Sequence, residues 1–334
     1  MAGTARRALV LAVGLAALLA AVLASLAVGS KGIAPLDVLR ALAAPDGSEA
    51  STIVRSLRVP RTVVGIEVGA ALALGGVVMQ ALTRNPLADP RILGVSAGAS
   101  LGVVTAIAAF GITTLAGYVW FGIAGAAVAG VLVATVASRA RAGASPVSLA
   151  LAGAALDASL GAIVYALLAI DARTFDEFRF WVVGSLAGRT PAAALQVLPV
   201  LLVGAVLALA GARGLDALAL GEDVARGLGH RVGWLRVGTG AAAVLLTGGA
   251  VAVAGPIAFV GLAVPHLVRA LVGADHRWVL AASAVIGPTL VLAADVAGRV
   301  VTPPAEVPTG VVTALVGAPL LILLVRRVQR VVAA

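Results

Sequence analysis

The sequence predicts an all-α, polytopic membrane protein with about ten transmembrane helices, and three observations support this fold class. Hydrophobic residues make up 61% of the 334 residues, and the mean hydropathy is +1.10. Apolar runs of about 20 residues, enough to cross a bilayer core of roughly 30 Å, recur along the whole chain. These runs do not alternate as barrel strands do, so helices must satisfy the backbone hydrogen bonds. We therefore expect a single transmembrane domain over residues 1–334.

Ten apolar segments are the predicted spans. The first follows Arg6 and Arg7 and is longer than the apolar core of a signal peptide, so we expect an uncleaved anchor. Spans seven and eight are separated only by the tripeptide Gly-Pro-Ile at 255–257, and such interruptions are typical of transporters near the transport pathway. The spans cover residues 8–28, 62–82, 92–112, 118–137, 147–170, 192–212, 234–254, 257–272, 278–298 and 309–327.

The basic residues favour an orientation with both chain ends in the cytoplasm. An even number of spans places the two ends on one side of the membrane. With the ends inside, 15 Arg and Lys side chains fall on the inner side and 9 on the outer side. Because cationic residues near spans are enriched on the cytoplasmic side, the count predicts an N-in, C-in topology. The net charge of +9 is therefore interpreted as a topology signal and not as a nucleic-acid surface.

One polar segment, residues 213–233, interrupts the spans on the predicted cytoplasmic side. It reads RGLDALALGEDVARGLGHRVG and carries both acidic and basic side chains. The spacing of its apolar residues predicts a helix with one apolar side, formed by Leu218, Leu220, Val224 and Leu228. A membrane protein that presents such a helix to the cytoplasm offers it to another molecule. We interpret the segment as a docking element for a partner protein.

Two carboxylates fall inside predicted spans. Glu67 lies in the second span, and Asp157 lies near the middle of the fifth. A carboxylate at this depth is unfavourable unless it is paired, protonated or hydrated. Both residues are therefore candidates for a water-filled translocation path. The alternative is a structural hydrogen bond to a neighbouring helix or, for Glu67, simple proximity to the outer interface.

The basic residues on the outer side run against the topological bias. Arg58 and Arg61 flank a proline in the sequence LRVPR, just before the second span. One explanation is that they extend toward the membrane surface as interfacial side chains. The other is a cationic outer rim that receives an acidic partner. Asp295 and Arg299, four residues apart near the outer end of span nine, are expected to form an ion pair.

Several kinds of chemistry are excluded by the residues present. Cysteine is absent, so the chain has neither disulfides nor thiolate metal sites. The three histidines are too scattered for a metal cluster, and we expect no metal site. The single lysine, Lys31, lies in VGSKGI, which does not match the GxxxxGK[ST] phosphate-binding loop. Because no nucleophile, base and metal-ligand set occurs at matched depth, we expect neither catalytic residues nor enzyme activity in this chain.

Five motifs, in order and at family-like spacing, resemble the FecCD family of ABC importer permeases for ferric siderophores, vitamin B12 and haem. The resemblance runs from about residue 55 to residue 327, nearly the whole chain. The motifs are TRNPLADPRILGVSAGA at 83–99, LALGEDVARGLG at 218–229, AGPIAFVGLAVPHLVRALVGADHR at 254–277, LAADVAGR at 292–299 and AEVPTGVVTALVGAP at 305–319.

The resemblance implies a ten-helix subunit similar to the vitamin B12 importer permease, in the cytoplasmic (inner) membrane. It implies two permease subunits, identical or paralogous, with the path between them. Two ATPase subunits would bind ATP and Mg²⁺ below, an extracytoplasmic substrate-binding protein would dock above, and this chain would hold no cofactor. A ferric siderophore is the expected cargo because it is the commonest one in the family; vitamin B12 and haem remain alternatives.

The resemblance also assigns roles to matching residues. The coupling helix at 213–233 would fit a cleft on the ATPase through Gly221, Glu222, Asp223, Arg226 and Gly229. Carboxylates of the binding protein would be received by Arg58, Arg61 and Arg299, which favours the docking explanation of the outer arginines. Glu67 and Asp157 depart from the small or apolar residues expected at their positions.

The competing hypothesis is a secondary transporter driven by an ion gradient. Glu67 and Asp157 would then be its coupling carboxylates. A self-sufficient carrier has no need of a cytoplasmic docking helix, so the segment 213–233 argues against this hypothesis. A membrane enzyme has no support in the sequence.

Overall fold

The computed structural model describes residues 2–44, 46–139 and 146–319, which form helices joined by turns and contain no β-strand. The α-helices, numbered in chain order, are α1 Ala2–Ala27, α2 Pro35–Ala43, α3 Glu49–Thr52, α4 Val59–Thr83, α5 Val95–Phe110, α6 Leu115–Ser138, α7 Pro146–Ile170, α8 Ala172–Val182, α9 Pro191–Ala219, α10 Glu222–Gly227, α11 Val232–Ala254, α12 Val260–Val272, α13 His276–Val301 and α14 Thr309–Pro319. A π-helical turn, Ile53–Arg58, leads directly into α4.

The prediction of an all-helical membrane protein is confirmed. Among the described residues, seven helices are long and apolar enough to cross a membrane: α1, α4 with its preceding turns, α6, α7, α9, α11 and α13. Three shorter apolar helices, α5, α12 and α14, occupy the positions of the remaining predicted spans. The last predicted span, 309–327, extends beyond the described residues after residue 319. The number of crossings and the N-in, C-in orientation stay predictions.

Helix α4 lies at the centre of the bundle and packs against α9, α11, α12 and α13. Glycines allow these helices to approach α4 closely. A Cβ atom added to Gly76 would lie 1.8 Å from the carbonyl oxygen of Gly261 in α12. A Cβ added to Gly69 would lie 2.5 Å from the Cα of Pro288 in α13. The backbones themselves are therefore in contact, and no larger residue fits without separating the helices.

A buried polar contact reinforces the pairing of α4 with α12. The side-chain amide of Gln80 donates to the carbonyl oxygens of Gly261 and Leu262 at 3.3 and 3.4 Å. The guanidinium of Arg269 in turn donates to the Gln80 side-chain oxygen. Because Gln80 is buried, these bonds satisfy an amide that would otherwise be left without partners.

The chain is not helical between α11 and α12, and backbone groups beside this break form hydrogen bonds with neighbouring turns. Gly255 has φ 74° and ends α11, at the Gly-Pro-Ile tripeptide noted in the sequence. The amide of Ser185, which follows α8, donates to the carbonyl oxygen of Ala254 at 2.8 Å. The amide of Gly310 at the start of α14 donates to Gly184 O at 2.8 Å. Irregular backbone at membrane depth requires such partners, so this break joins α8, α11 and α14.

The segment 213–233 is not one continuous helix, and this part of the prediction is corrected. Helix α9 continues to Ala219, α10 covers only Glu222–Gly227, and α11 begins at Val232. The interruptions fall at Gly221, with φ 118°, and at Gly229, with φ 86°. Glycine adopts these values without a steric penalty, and both residues therefore act as turns. The segment is a turn–helix–turn between two long helices.

We expect Gly76→Ala to destabilise the bundle. The added methyl group would collide with the Gly261 carbonyl, and overpacking of this kind costs about 1–3 kcal/mol. The measurement is the midpoint temperature of unfolding of the purified protein in detergent.

The matched control is Gly240→Ala in α11, where an added Cβ meets no atom within 4 Å. Because Gly disfavours helix relative to Ala, this control should unfold at the same temperature as the wild type or at a higher one. Equal stability of Gly76→Ala and wild type would contradict the close approach of α4 and α12.

Candidate functional site

The described charged residues concentrate at the two ends of the bundle. The end that carries 213–233 is called the inner end, after the charge count, and the opposite end is called the outer end. At the outer end, three arginines from separate elements lie near two carboxylates. Arg61 and Arg299 pair with these carboxylates, whereas Arg58 donates to backbone carbonyl oxygens. This outer cluster consists of Arg58, Arg61, Asp295, Arg299 and Glu306.

Asp295 is the centre of the outer cluster, and its side chain is 0% exposed. Arg61 donates to both of its carboxylate oxygens, with Nε–Oδ2 and Nη2–Oδ1 distances of 2.9 Å. Arg299 Nη2 lies 3.0 Å from Asp295 Oδ2, which shows the ion pair expected from the sequence. The Thr309 hydroxyl donates to Oδ1 at 2.8 Å. These charge-assisted bonds compensate for burial of the carboxylate.

Arg58 and Arg299 are buried and bind the C-terminal end of α1. Arg58 Nη1 donates to Leu26 O at 2.7 Å. Arg299 Nη1 donates to the carbonyl oxygens of Ser25 and Val28, both at 2.9 Å. The last carbonyls of a helix have no partner inside it and attract cations, so these arginines satisfy a local need of α1. Their docking role stays a prediction, and both guanidinium groups have partners within the chain.

Arg61 differs because one side of its guanidinium reaches the surface. Its Nη1 donates to Glu306 Oε2 at 2.7 Å, and the Glu306 side chain is 33% exposed. Glu306 was not identified as a site residue from the sequence, although it lies in the motif AEVPTG. Nothing in a linear pattern pairs it with a residue 245 positions away. Of the three predicted docking arginines, Arg61 is the one with a partly exposed carboxylate as its partner.

At the inner end, α10 is held to the rest of the protein by one buried residue and one ion pair. Ala225 is fully buried against Leu218 and Val232. Glu222 pairs with Arg226 in its own helix and with Arg236 in α11. The Gly221 and Gly229 turns set the two ends of α10. Of the predicted coupling residues, Glu222 therefore positions the helix, whereas Asp223 and Arg226 lie exposed on it.

Of the four residues on the apolar side predicted for segment 213–233, three are exposed in the structure. Leu218 is buried in the protein, whereas Leu220, Val224 and Leu228 are exposed. We call these three residues, with exposures of 69%, 45% and 63%, the exposed apolar strip. Val224 and Leu228 are four apart on α10 and its C-terminal cap, whereas Leu220 precedes the Gly221 turn. An apolar strip beside charged side chains is typical of a surface that a partner protein covers.

A contact between Asp216 and His276 joins the end of α9 to the start of α13. Asp216 Oδ1 accepts from the His276 backbone amide at 3.0 Å and lies 2.6 Å from its Nδ1. The sequence did not indicate this pair. Helix α13 therefore contacts the coupling segment at its inner end and holds Asp295 and Arg299 at its outer end.

The two intramembrane carboxylates lie in different surroundings. Glu67 is half-buried in α4, and its Oε2 has no hydrogen-bond partner within the described part of the chain. Asp157 is exposed on α7. A groove of about 600 Å³ between the end of α8 and α14 is lined by other residues, among them Val183, Gly310 and Leu315. The role of Glu67 and Asp157 in a translocation path stays a prediction.

Over the described ranges, no group of three or more His, Asp or Glu side chains could hold a metal ion.

Comparison with known proteins gives matches over nearly the whole chain. A model of the FecCD transport family matches residues 17–327. The ferric enterobactin transport system permease protein FepD of Escherichia coli K12 is 44% identical over 307 residues, which cover 92% of this chain and 91% of that protein. The cobalamin import system permease protein BtuC of Halobacterium salinarum is 40% identical over 283 residues, 83% of this chain and 74% of that protein.

One solved structure has the same fold. It shows an inward-facing conformation of a protein assigned to the metal-chelate type of ABC transporter. The TM-score is 0.84 at 31% sequence identity, and the match covers 95% of this chain and 98% of the other.

We expect Asp295→Asn to destabilise the protein strongly. The substitution leaves the buried Arg61 and Arg299 facing a neutral amide, and removal of one partner from a buried ion pair costs about 3–5 kcal/mol. The yield of folded protein and the unfolding midpoint in detergent measure the effect.

Glu306→Gln is the control, because that carboxylate is partly exposed and should contribute at most about 1 kcal/mol. If Asp295→Asn and Glu306→Gln were equally stable, Asp295 would not be the centre of the cluster.

Proposed function

Because the chain belongs to the FecCD transport family, we propose that it is the permease subunit of an ATP-driven ABC importer that carries a ferric siderophore across the cytoplasmic membrane. It is a multi-pass membrane permease of this family, and its apolar helices agree with that membership. The likeness to the ferric enterobactin permease over nine-tenths of both chains supports the proposed cargo and partners.

A vitamin B12 or haem cargo is the second candidate. The cobalamin permease is 40% identical to this chain, which is close to the 44% of the enterobactin permease. The likeness to the cobalamin permease covers less of both chains, which favours the siderophore. No motif in the sequence reads a particular ligand, so we propose that cargo selection resides mainly in an extracytoplasmic binding protein.

We propose that ATP is hydrolysed by a separate ATPase subunit, with Mg²⁺, and that this chain binds no cofactor. The chain has no phosphate-binding loop that could hold ATP. The exposed apolar strip and α10 offer a surface for such a subunit at the inner end. Gly221, Glu222, Asp223, Arg226 and Gly229 would set the shape and charge of that surface. Movement of the ATPase subunits would then reach α9 and α11, which flank α10 directly.

A second permease subunit is supported by the position of Asp157. This residue is exposed on α7, a helix that is mostly exposed in the single chain. A carboxylate in mid-span is unfavourable against lipid, so this face is better suited to another subunit or to a hydrated path. We propose a pair of permeases, identical or paralogous, with the path between them and an ATPase beneath each.

The cargo is tested by growth of a deletion strain under iron starvation. We expect growth to fail on one ferric siderophore and to recover when the wild-type gene is returned. Vitamin B12 and haem are tested in parallel. A defect on B12 or haem alone would keep the importer and replace the cargo, whereas no defect on any of them would contradict the proposed function.

The coupling surface is tested by Leu228→Glu, which places a charge in the exposed apolar strip. We expect loss of the ATPase subunits from the purified complex, and loss of transport, without loss of permease stability, because Leu228 is exposed. Leu228→Met keeps the strip apolar and is the matched control. Normal ATPase association of Leu228→Glu would show that the strip is not the docking surface.

A further inference from the structure

The contact between Arg61 and Glu306 has a different character from the rest of the outer cluster. Asp295 is enclosed by Arg61, Arg299 and Thr309 and has no exposed side-chain surface. Glu306, in contrast, is one-third exposed and lies on the segment between α13 and α14. Its carboxylate meets Nη1 of Arg61 at the surface. Within the cluster, this is the ion pair that an incoming molecule can reach.

The guanidinium of Arg61 is held in place by its other two nitrogen atoms. Nε and Nη2 both donate to the buried Asp295 carboxylate. This fixes the plane of the guanidinium and directs Nη1 toward Glu306. A donor oriented in advance loses little side-chain freedom when it binds a new acceptor. The Nη1 group of Arg61 is therefore oriented to bind one further carboxylate, and Glu306 supplies this carboxylate.

The charges of the outer cluster favour an additional anion. The cluster contains three guanidinium groups and two carboxylates, so its members carry one surplus positive charge. Arg58 Nη1 and Arg299 Nη1 donate to carbonyl oxygens at the end of α1, and Arg299 Nη2 is paired with Asp295. A positive surface of this kind attracts acidic side chains of a partner and fixes where they bind.

We propose that Glu306 is an internal substitute for a carboxylate of the extracytoplasmic binding protein, and that docking exchanges the two on Arg61. This inference rests on the proposed function, because it requires such a binding protein. While no partner is docked, Glu306 keeps a mostly buried guanidinium paired. When an acidic side chain arrives, it must displace Glu306, so Glu306 weakens docking and helps the complex to separate again.

The test measures the dissociation constant between the binding protein and the full permease–ATPase complex in lipid nanodiscs. Glu306→Gln removes the competing charge and is expected to tighten binding roughly twofold to fivefold, the range of an exposed ion pair. Glu306→Ala should give the same gain. Arg61→Gln should weaken binding, and adding Glu306→Gln to it should produce no further change. Size-exclusion chromatography establishes that each variant assembles.

The matched control is Glu49→Gln. Glu49 is an exposed carboxylate at the same end, paired with Lys31 at 2.5 Å and not with Arg61. It should leave the dissociation constant unchanged. An equal gain from Glu49→Gln would reduce the effect to overall charge and overturn the inference.

Unchanged or weaker binding of both Glu306 variants would also overturn the inference, provided that the wild type binds. If the wild-type complex binds no binding protein at all, the proposed function fails before Glu306 is tested. The two failures are therefore distinguishable.

Discussion

The buried ion pair between Asp295 and two arginines is the interaction on which the outer half of the molecule depends. A carboxylate without exposed surface is tolerated only if its oxygens are fully occupied, and Arg61, Arg299 and Thr309 occupy them. The same arginines fix other elements. Arg299 binds the end of α1, and Arg61 carries the contact to Glu306. One buried charge thereby joins α1, α4, α13 and α14.

At the centre of the bundle, the helices are arranged by the small size of glycine residues and not by ion pairs. Gly69 and Gly76 let α13 and α12 touch the backbone of α4, and van der Waals contact at this distance is a main source of helix association in lipid. The close packing on α4 also fixes the position of α13 between the inner end and the outer end of the bundle. Its inner end meets Asp216 of α9 through His276, and its outer end supplies Asp295. The surface proposed for the ATPase and the one proposed for the binding protein are thus connected by one helix.

The sequence was sufficient for features that depend on composition and short spacing. Apolar runs predicted helices close to those observed, and the four-residue spacing of Asp295 and Arg299 predicted their ion pair. It was insufficient where partners lie far apart in the chain. No local pattern shows that Arg58 and Arg299 also donate to the carbonyl oxygens at the end of α1. The helix predicted for 213–233 was too long because Gly221 and Gly229 adopt positive φ values, which interrupt the helix and which the apolar spacing does not reveal.

We propose that this chain forms a translocation path and that a separate ATPase subunit supplies the energy for transport. The most direct measurement is uptake of a radiolabelled ferric siderophore into proteoliposomes that contain the permease with its ATPase subunits, with the binding protein added outside and ATP enclosed or supplied on the ATPase side. We expect uptake that requires ATP, the ATPase subunits and the binding protein together. Uptake by the permease alone under an imposed proton or sodium gradient would contradict the account and identify a secondary transporter.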